Sequence, residues 1–160
     1  MPKIRKSDLT PATGSSYPPP HNKGFGRYKA WPFSDAAGLT QFGAFVETLE
    51  PGATSSQRHW HEAEDEFLYM LEGEITVVED AGEYVLLPGE ATGWKAGDPN
   101  GHQLMNRTDA PATYLIVGTR ATDDRCHYTQ IDMVYQRTGG VSGYAHRDGT
   151  PYPKSEGTKP

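Results

Sequence analysis

Few windows of this sequence sustain a helical hydrophobic period. From Thr40 onward the apolar residues come in short strand-like runs broken by turn signals. The runs read TQFGAFVETL, QRHWH, EFLYMLEGEITVVED, AGEYVLLPGE, TYLIVGTR and HYTQIDMVY, and 18 Gly and 13 Pro supply much of the punctuation. Strands at this spacing, with no helical pattern between them, predict an antiparallel sandwich or barrel. Nothing repeats with a fixed period, and 160 residues suit one domain with its own core. The expected layout is an irregular N-terminal arm over residues 1–30, an all-β domain over 31–135 and a polar C-terminal tail over 136–160. Both ends are too rich in Pro, Gly and polar residues to bury much surface.

Composition removes several function classes. The longest apolar run, Phe67 to Leu71, is far too short to cross a membrane. The opening MPKIRKSDLT has basic residues but no apolar stretch behind them, so it does not read as a secretory signal. A single cysteine, Cys126, rules out an internal disulfide framework, and a reducing cytoplasmic setting is expected. The net charge of −6, with no long basic run, argues against nucleic acid as the main partner.

The chemistry concentrates in QRHWHEAEDEFLYMLEG, residues 57–73. On a strand His59 and His61 share one face while Trp60 takes the other, because side chains alternate across the pleat. A second strand starting at Glu66 puts Glu66, Leu68 and Met70 on one face and Phe67, Tyr69 and Leu71 on the other. Glu66 is therefore the acid in phase with an apolar interior, whereas Glu62, Glu64 and Asp65 fall in the turn. His102, just before QLMN, heads a further strand that can lie across the barrel. Three imidazoles and a carboxylate make a mixed nitrogen–oxygen site for one divalent transition metal: Mn, Fe, Co, Ni or Zn. Four protein ligands leave positions open for water or substrate, which separates a reactive metal from a structural one.

These residues resemble the two signatures of the cupin superfamily. Gly52, His59, His61, Glu66 and Gly73 fall on the first, with one extra residue between Gly52 and His59. Gly89, Lys95-Ala96-Gly97, His102 and Asn106 fall on the second. It departs in having Lys95 for the usual proline and four residues, DPNG, between Gly97 and His102. The resemblance runs from Thr40 to about Arg120 and is closest to small stand-alone bacterial cupins. It implies a double-stranded β-helix (jelly-roll) barrel, a metal on His59, His61, Glu66 and His102, and a homodimer formed through exchanged terminal strands.

Around that centre, Gln57 is two residues before His59 and is expected on its face. Leu104 shares the face of His102, and Tyr69, Trp94 and Gln103 are candidates for the pocket or its entrance. Lys95 is a candidate cation for an anionic substrate group such as carboxylate or phosphate. Arg58, Arg107 and Arg120 read as rim or interface charges. Cys126 and His127 are adjacent on a strand and point apart, which argues against a nucleophile pair. Two open metal positions suit an isomerase that holds a small anionic substrate through adjacent oxygens and stabilises an enediolate. Its proton would pass through Glu66 if unligated, or through hydroxide on the metal. The same ligands with Fe suit a dioxygenase, and a non-catalytic small-molecule binder or sensor is the third reading.

Overall fold

The computed structural model of the chain describes residues 3–153. Its strands are β1 Tyr28–Pro32, β2 Phe42–Leu49, β3 His59–His61, β4 Glu66–Glu72, β5 Ile75–Glu79 and β6 Gly82–Leu86. They continue with β7 Ala91–Trp94, β8 Gln103–Met105, β9 Ala112–Thr119, β10 Asp124–Tyr128, β11 Val134–Thr138 and β12 Val141–Ala145. One short helical turn, α1 Phe33–Ala36, follows β1. The first layer is a five-stranded sheet in the order β1-β2-β9-β4-β7. The second joins β12-β11-β10-β3 to β8-β5-β6 through an antiparallel bridge between His59 and His102. The result is a jelly-roll β-barrel.

The core follows from strand alternation. On β4, Leu68 and Met70 are fully buried whereas Phe67, Tyr69 and Leu71 stay exposed. Leu68, Met70 and Tyr114 from the first layer meet Ile75, Val77 and Leu104 from the second in one apolar cluster. The β4–β5 turn needs Gly73, which has φ +78°; a Cβ there would lie 2.5 Å from the Pro111 carbonyl oxygen.

The expected boundaries at 31 and 135 both fall inside strands. β1 already starts at Tyr28, and residues 134–145 form the β11–β12 hairpin, whose register on β10 pairs Cys126 with Tyr135. A polar sequence suffices there because one face stays solvated and the other is supplied by tyrosines. Tyr135, Tyr144 and Tyr152 pack with Tyr17 of the N-terminal arm around Cys126, Tyr128 and Met133. Tyr17 anchors the arm, with its ring 5.4 Å from Tyr128 and 5.7 Å from Tyr144. Among the described residues, no helix is long and apolar enough to cross a membrane.

Candidate metal centre

β3 and β4 bring the histidine pair and Glu66 to the barrel interior, and the β3 bridge brings in His102. The His59 and His102 backbones exchange two hydrogen bonds, at 3.1 and 2.9 Å, which sets their rings side by side at 4.9 Å between centroids. His102 Nε2 lies 2.8 Å from Glu66 Oε2, and His59 Nε2 lies 3.7 Å from the same oxygen. One ligand atom from each of His59, Glu66 and His102 lies within 4.8 Å of the others. This donor set, two imidazoles and a carboxylate, fits a divalent transition metal by its chemistry.

His61 is the fourth residue expected here, and it sits beside the triad rather than inside it. Its ring is 5.2 Å from that of His59, but its close ligand-atom groups are with His59 and Cys126 and with Glu64 and Asp124. Its Nδ1 faces Asp124 Oδ2 at 2.7 Å, so its Nε2 is the nitrogen left for a metal. His59 is oriented the same way. Its Nδ1 donates to the Gln57 carbonyl at 2.8 Å, which leaves Nε2 as the bare nitrogen facing Glu66. Trp94 stacks on His102 at 3.9 Å and 7° and holds that ring flat.

Burial and these contacts set the charges. Burial holds His59 down at about 4, opposed by the Glu66 carboxylate. Burial works against ionised Glu66, yet the His102 hydrogen bond and the other imidazoles bring it to about 2. For His61 burial also opposes charge, but Asp124 overrides it and pushes the ring up to about 11.

Two cavities meet at the cluster. An inner one of about 130 Å³ is lined by His59, Glu66, Trp94, His102, Gln103 and Leu104, among others. A mouth of about 620 Å³ reaches outward past His61, Glu64, Arg120 and Arg137. Trp94, Gln103 and Leu104 thus line the inner cavity. Three other expectations are corrected. Gln57 lies in a bend before β3, so strand alternation does not reach it. Its side chain donates to the His21 carbonyl at 3.3 Å instead of entering the pocket. Tyr69 lies on the solvent face of β4 and is exposed. Lys95 is exposed in the turn after β7 and lines neither cavity.

The arginines of the mouth are Arg120 and Arg137, paired with Asp35 and Glu64 respectively. Arg58 instead pairs with Asp80 and Arg107 with Glu83. Cys126 and His127 do point apart: His127 stacks on Trp60 at 4.3 Å, while Cys126 is buried on the His61 side.

Sequence reasoning missed Glu47. It lies on β2, opposite Tyr114 of β9, and accepts a hydrogen bond from the Tyr114 hydroxyl at 2.8 Å. It lines both cavities. Burial raises its carboxyl to about 7; the Tyr114 hydrogen bond opposes the rise and nearby Glu66 adds to it. The signal was its phase, since Phe45, Glu47 and Leu49 alternate together toward the core.

A raised carboxyl has a defined signature in stability. Between the unfolded value of 4.5 and the folded value of about 7, the folded state holds a proton that the unfolded state releases. Stability therefore falls as pH rises through that window and levels off above it. Glu47→Gln removes the effect. In chelator-treated protein the variant is expected to match wild type near pH 4.5 and exceed it by about 2 kcal/mol at pH 8. Thermal melts should show this as roughly 4–8 °C. Equal melting temperatures at pH 8 would contradict the buried-carboxyl account.

The fold and the histidine–carboxylate cluster define a jelly-roll protein with a candidate metal site open to a pocket. Comparison with known proteins then names the family. The cupin-domain family profile matches residues 45–118. A crystal structure from Silicibacter pomeroyi DSS-3, described as a sugar phosphate isomerase from a cupin superfamily, is 41% identical. It covers 95% of this chain and 97% of its own, with a TM-score of 0.90. The chain belongs to the cupin superfamily. A predicted oxalate decarboxylase from Thermotoga maritima is 21% identical, covers 74% of this chain and 99% of its own, and has a TM-score of 0.61. The polyketide cyclase RemF from Streptomyces resistomycificus is 22% identical, covers 74% and 79%, and has a TM-score of 0.59. These two share the fold. No curated relative matches the chain.

Proposed function

We propose that the protein is a metal-dependent isomerase of a small anionic substrate of the sugar-phosphate type. The observation that carries this reading is the His59–Glu66–His102 cluster set between a small inner cavity and a wider mouth flanked by Arg120 and Arg137. Its likeness to the Silicibacter protein over nearly the whole of both chains supports the reaction class.

In this reading His59, His61, Glu66 and His102 hold one divalent ion among Mn, Fe, Co, Ni and Zn. Such an ion, when bound, would supply Lewis acidity to the substrate. The protein supplies the rest. Gln57 and Asp124 fix two of the imidazoles, and Trp94 holds the third. Arg120 and Arg137 offer guanidinium groups to the anionic end of a substrate, the part first assigned to Lys95. The reading places the protein in the cytoplasm as a homodimer. Phe67, Tyr69 and Leu71 on the outer face of β4 give a second copy an apolar surface to cover.

The test is turnover. Protein reconstituted with each metal in turn is offered a panel of aldose and ketose phosphates without oxygen, with products followed by NMR, and its mass in solution is measured. Interconversion of an aldose and a ketose phosphate by a dimer is the expected result. Oxygen uptake with catechols, thiols or diketones would replace the isomerase with a dioxygenase. Tight ligand binding without turnover would make the protein a binder.

A further inference from the structure

An aldose–ketose interconversion through an enediolate needs a group that takes a proton from one carbon and returns it to the next. Of the expected bases, Glu66 is poorly suited. Glu66 already faces two imidazoles and is wanted as a ligand. Glu47 is a carboxyl on the same inward face with no such commitment. β2 pairs Glu47 with Tyr114 of β9, and β9 pairs Tyr114 with Met70 and Gly118 with Glu66 on β4. By that register the side chains of Glu47, Tyr114 and Glu66 project from one side of the sheet.

Glu47, Glu66 and Ile116 line both the inner cavity and the mouth. A substrate lying between the two cavities therefore passes Glu47. The Tyr114 hydroxyl donates to Oε2 at 2.8 Å and fixes the carboxyl, while Oε1 has no protein hydrogen bond among the described residues. A purely structural partner for Tyr114 could equally be a glutamine, which would carry no burial cost for charge. A carboxyl held by one oxygen, its other oxygen without a protein partner, lining both cavities beside a metal-ligand cluster, matches the geometry asked of a general base.

We propose that Glu47, positioned by Tyr114, is the catalytic acid–base group of this site; the assignment rests on the isomerase reading. The Glu47 carboxylate takes the proton from the hydroxyl-bearing carbon next to the substrate carbonyl. The C–H electron pair becomes the carbon–carbon double bond, and the carbonyl π pair moves onto oxygen to give the enediolate. The hydroxyl proton passes to that oxygen, the neighbouring C=O forms, and the Glu47 proton is delivered to the former carbonyl carbon. Atoms and electrons balance without any other reactant.

Wild type, Glu47→Gln, Glu47→Asp and Tyr114→Phe, each reconstituted with the same metal, are incubated in D2O with the aldose and ketose phosphate panel. NMR reads deuterium at the carbons flanking the carbonyl, elemental analysis reads metal per chain, and melts read folding. Glu47→Gln is expected to lose exchange and interconversion by on the order of a thousandfold with metal content and folding kept. Glu47→Asp should recover part of the rate. Tyr114→Phe should displace the pH profile of the rate, which a merely structural contact would not do. Exchange in Glu47→Gln within tenfold of wild type overturns the Glu47 assignment while leaving the isomerase reading intact. Loss of metal from that variant also overturns it, since Glu47 would then serve the ion. Wild type silent on the entire panel overturns both.

Discussion

His59→Ala and His102→Ala proteins are each expected to come out of reconstitution almost free of metal, against about one ion per chain for wild type. Either change removes one nitrogen of the triad whose ligand atoms lie within 4.8 Å of one another. It leaves His61 with only two of its three proposed partners around the ion. The backbone hydrogen bonds between these two residues do not depend on their rings, so circular dichroism should stay β-rich. His61→Ala is expected to act in the same direction. Asp124→Asn is the graded control. The carboxylate 2.7 Å from His61 Nδ1 orients a ligand without touching the ion, and losing such a partner typically weakens metal binding about 10–100-fold. Equilibrium dialysis followed by elemental analysis checks all four. Full occupancy in His59→Ala would remove the ligand assignment and the isomerase reading with it.

The barrel was largely legible because its information is local. His59, Trp60 and His61 alternate on a three-residue strand, β4 starts at Glu66, and the turns carry glycine where the chain must reverse. The C-terminal hairpin was hidden for the opposite reason. Gln136, Arg137, Ser142 and Gly143 have no apolar period, and β11 is held by backbone pairing to β10 and by tyrosines distant in sequence. Tyr17 behaves likewise, since nothing near it in the chain foretells its contacts with Tyr128 and Tyr144.

The site divides along the same line. His59, His61 and Glu66 share a strand period, and Trp94 and Leu104 follow from theirs. Gln57 was misplaced by extending that period through a bend, and Lys95 by taking nearness in sequence to His102 for nearness in space. Arg120 and Arg137 reach the pocket, and Asp124 reaches His61, only through non-local strand pairing and loop packing. Glu47 is the instructive omission. A charged residue in phase with Phe45 and Leu49 on an apolar strand is a local conflict, and such conflicts tend to mark functional positions.

Asn106 gives the largest expected effect on stability. Its side chain is almost fully buried, and all four of its hydrogen-bonding positions are used. Nδ2 donates to the Leu49 and Ala110 carbonyls at 2.9 and 2.8 Å, while Oδ1 accepts from the Thr108 amide and hydroxyl at 3.0 and 2.8 Å. One amide thereby ties the end of β2 to the loop between β8 and β9. Asn106→Ala leaves several polar groups short of a partner in a dry site, at a cost of roughly 3 kcal/mol. In a domain of this size that corresponds to a melting temperature about 6–12 °C lower. Asn106→Asp separates hydrogen bonding from packing, because it keeps the shape but turns a carboxylate oxygen on two carbonyl oxygens. If the four bonds matter, the isosteric variant should melt no higher than Asn106→Ala at pH 8, and should recover in part at pH 4, where a protonated carboxyl regains one donor. An aspartate variant as stable as wild type at pH 8 would mean that filling the space, rather than satisfying the carbonyls, is what this position contributes.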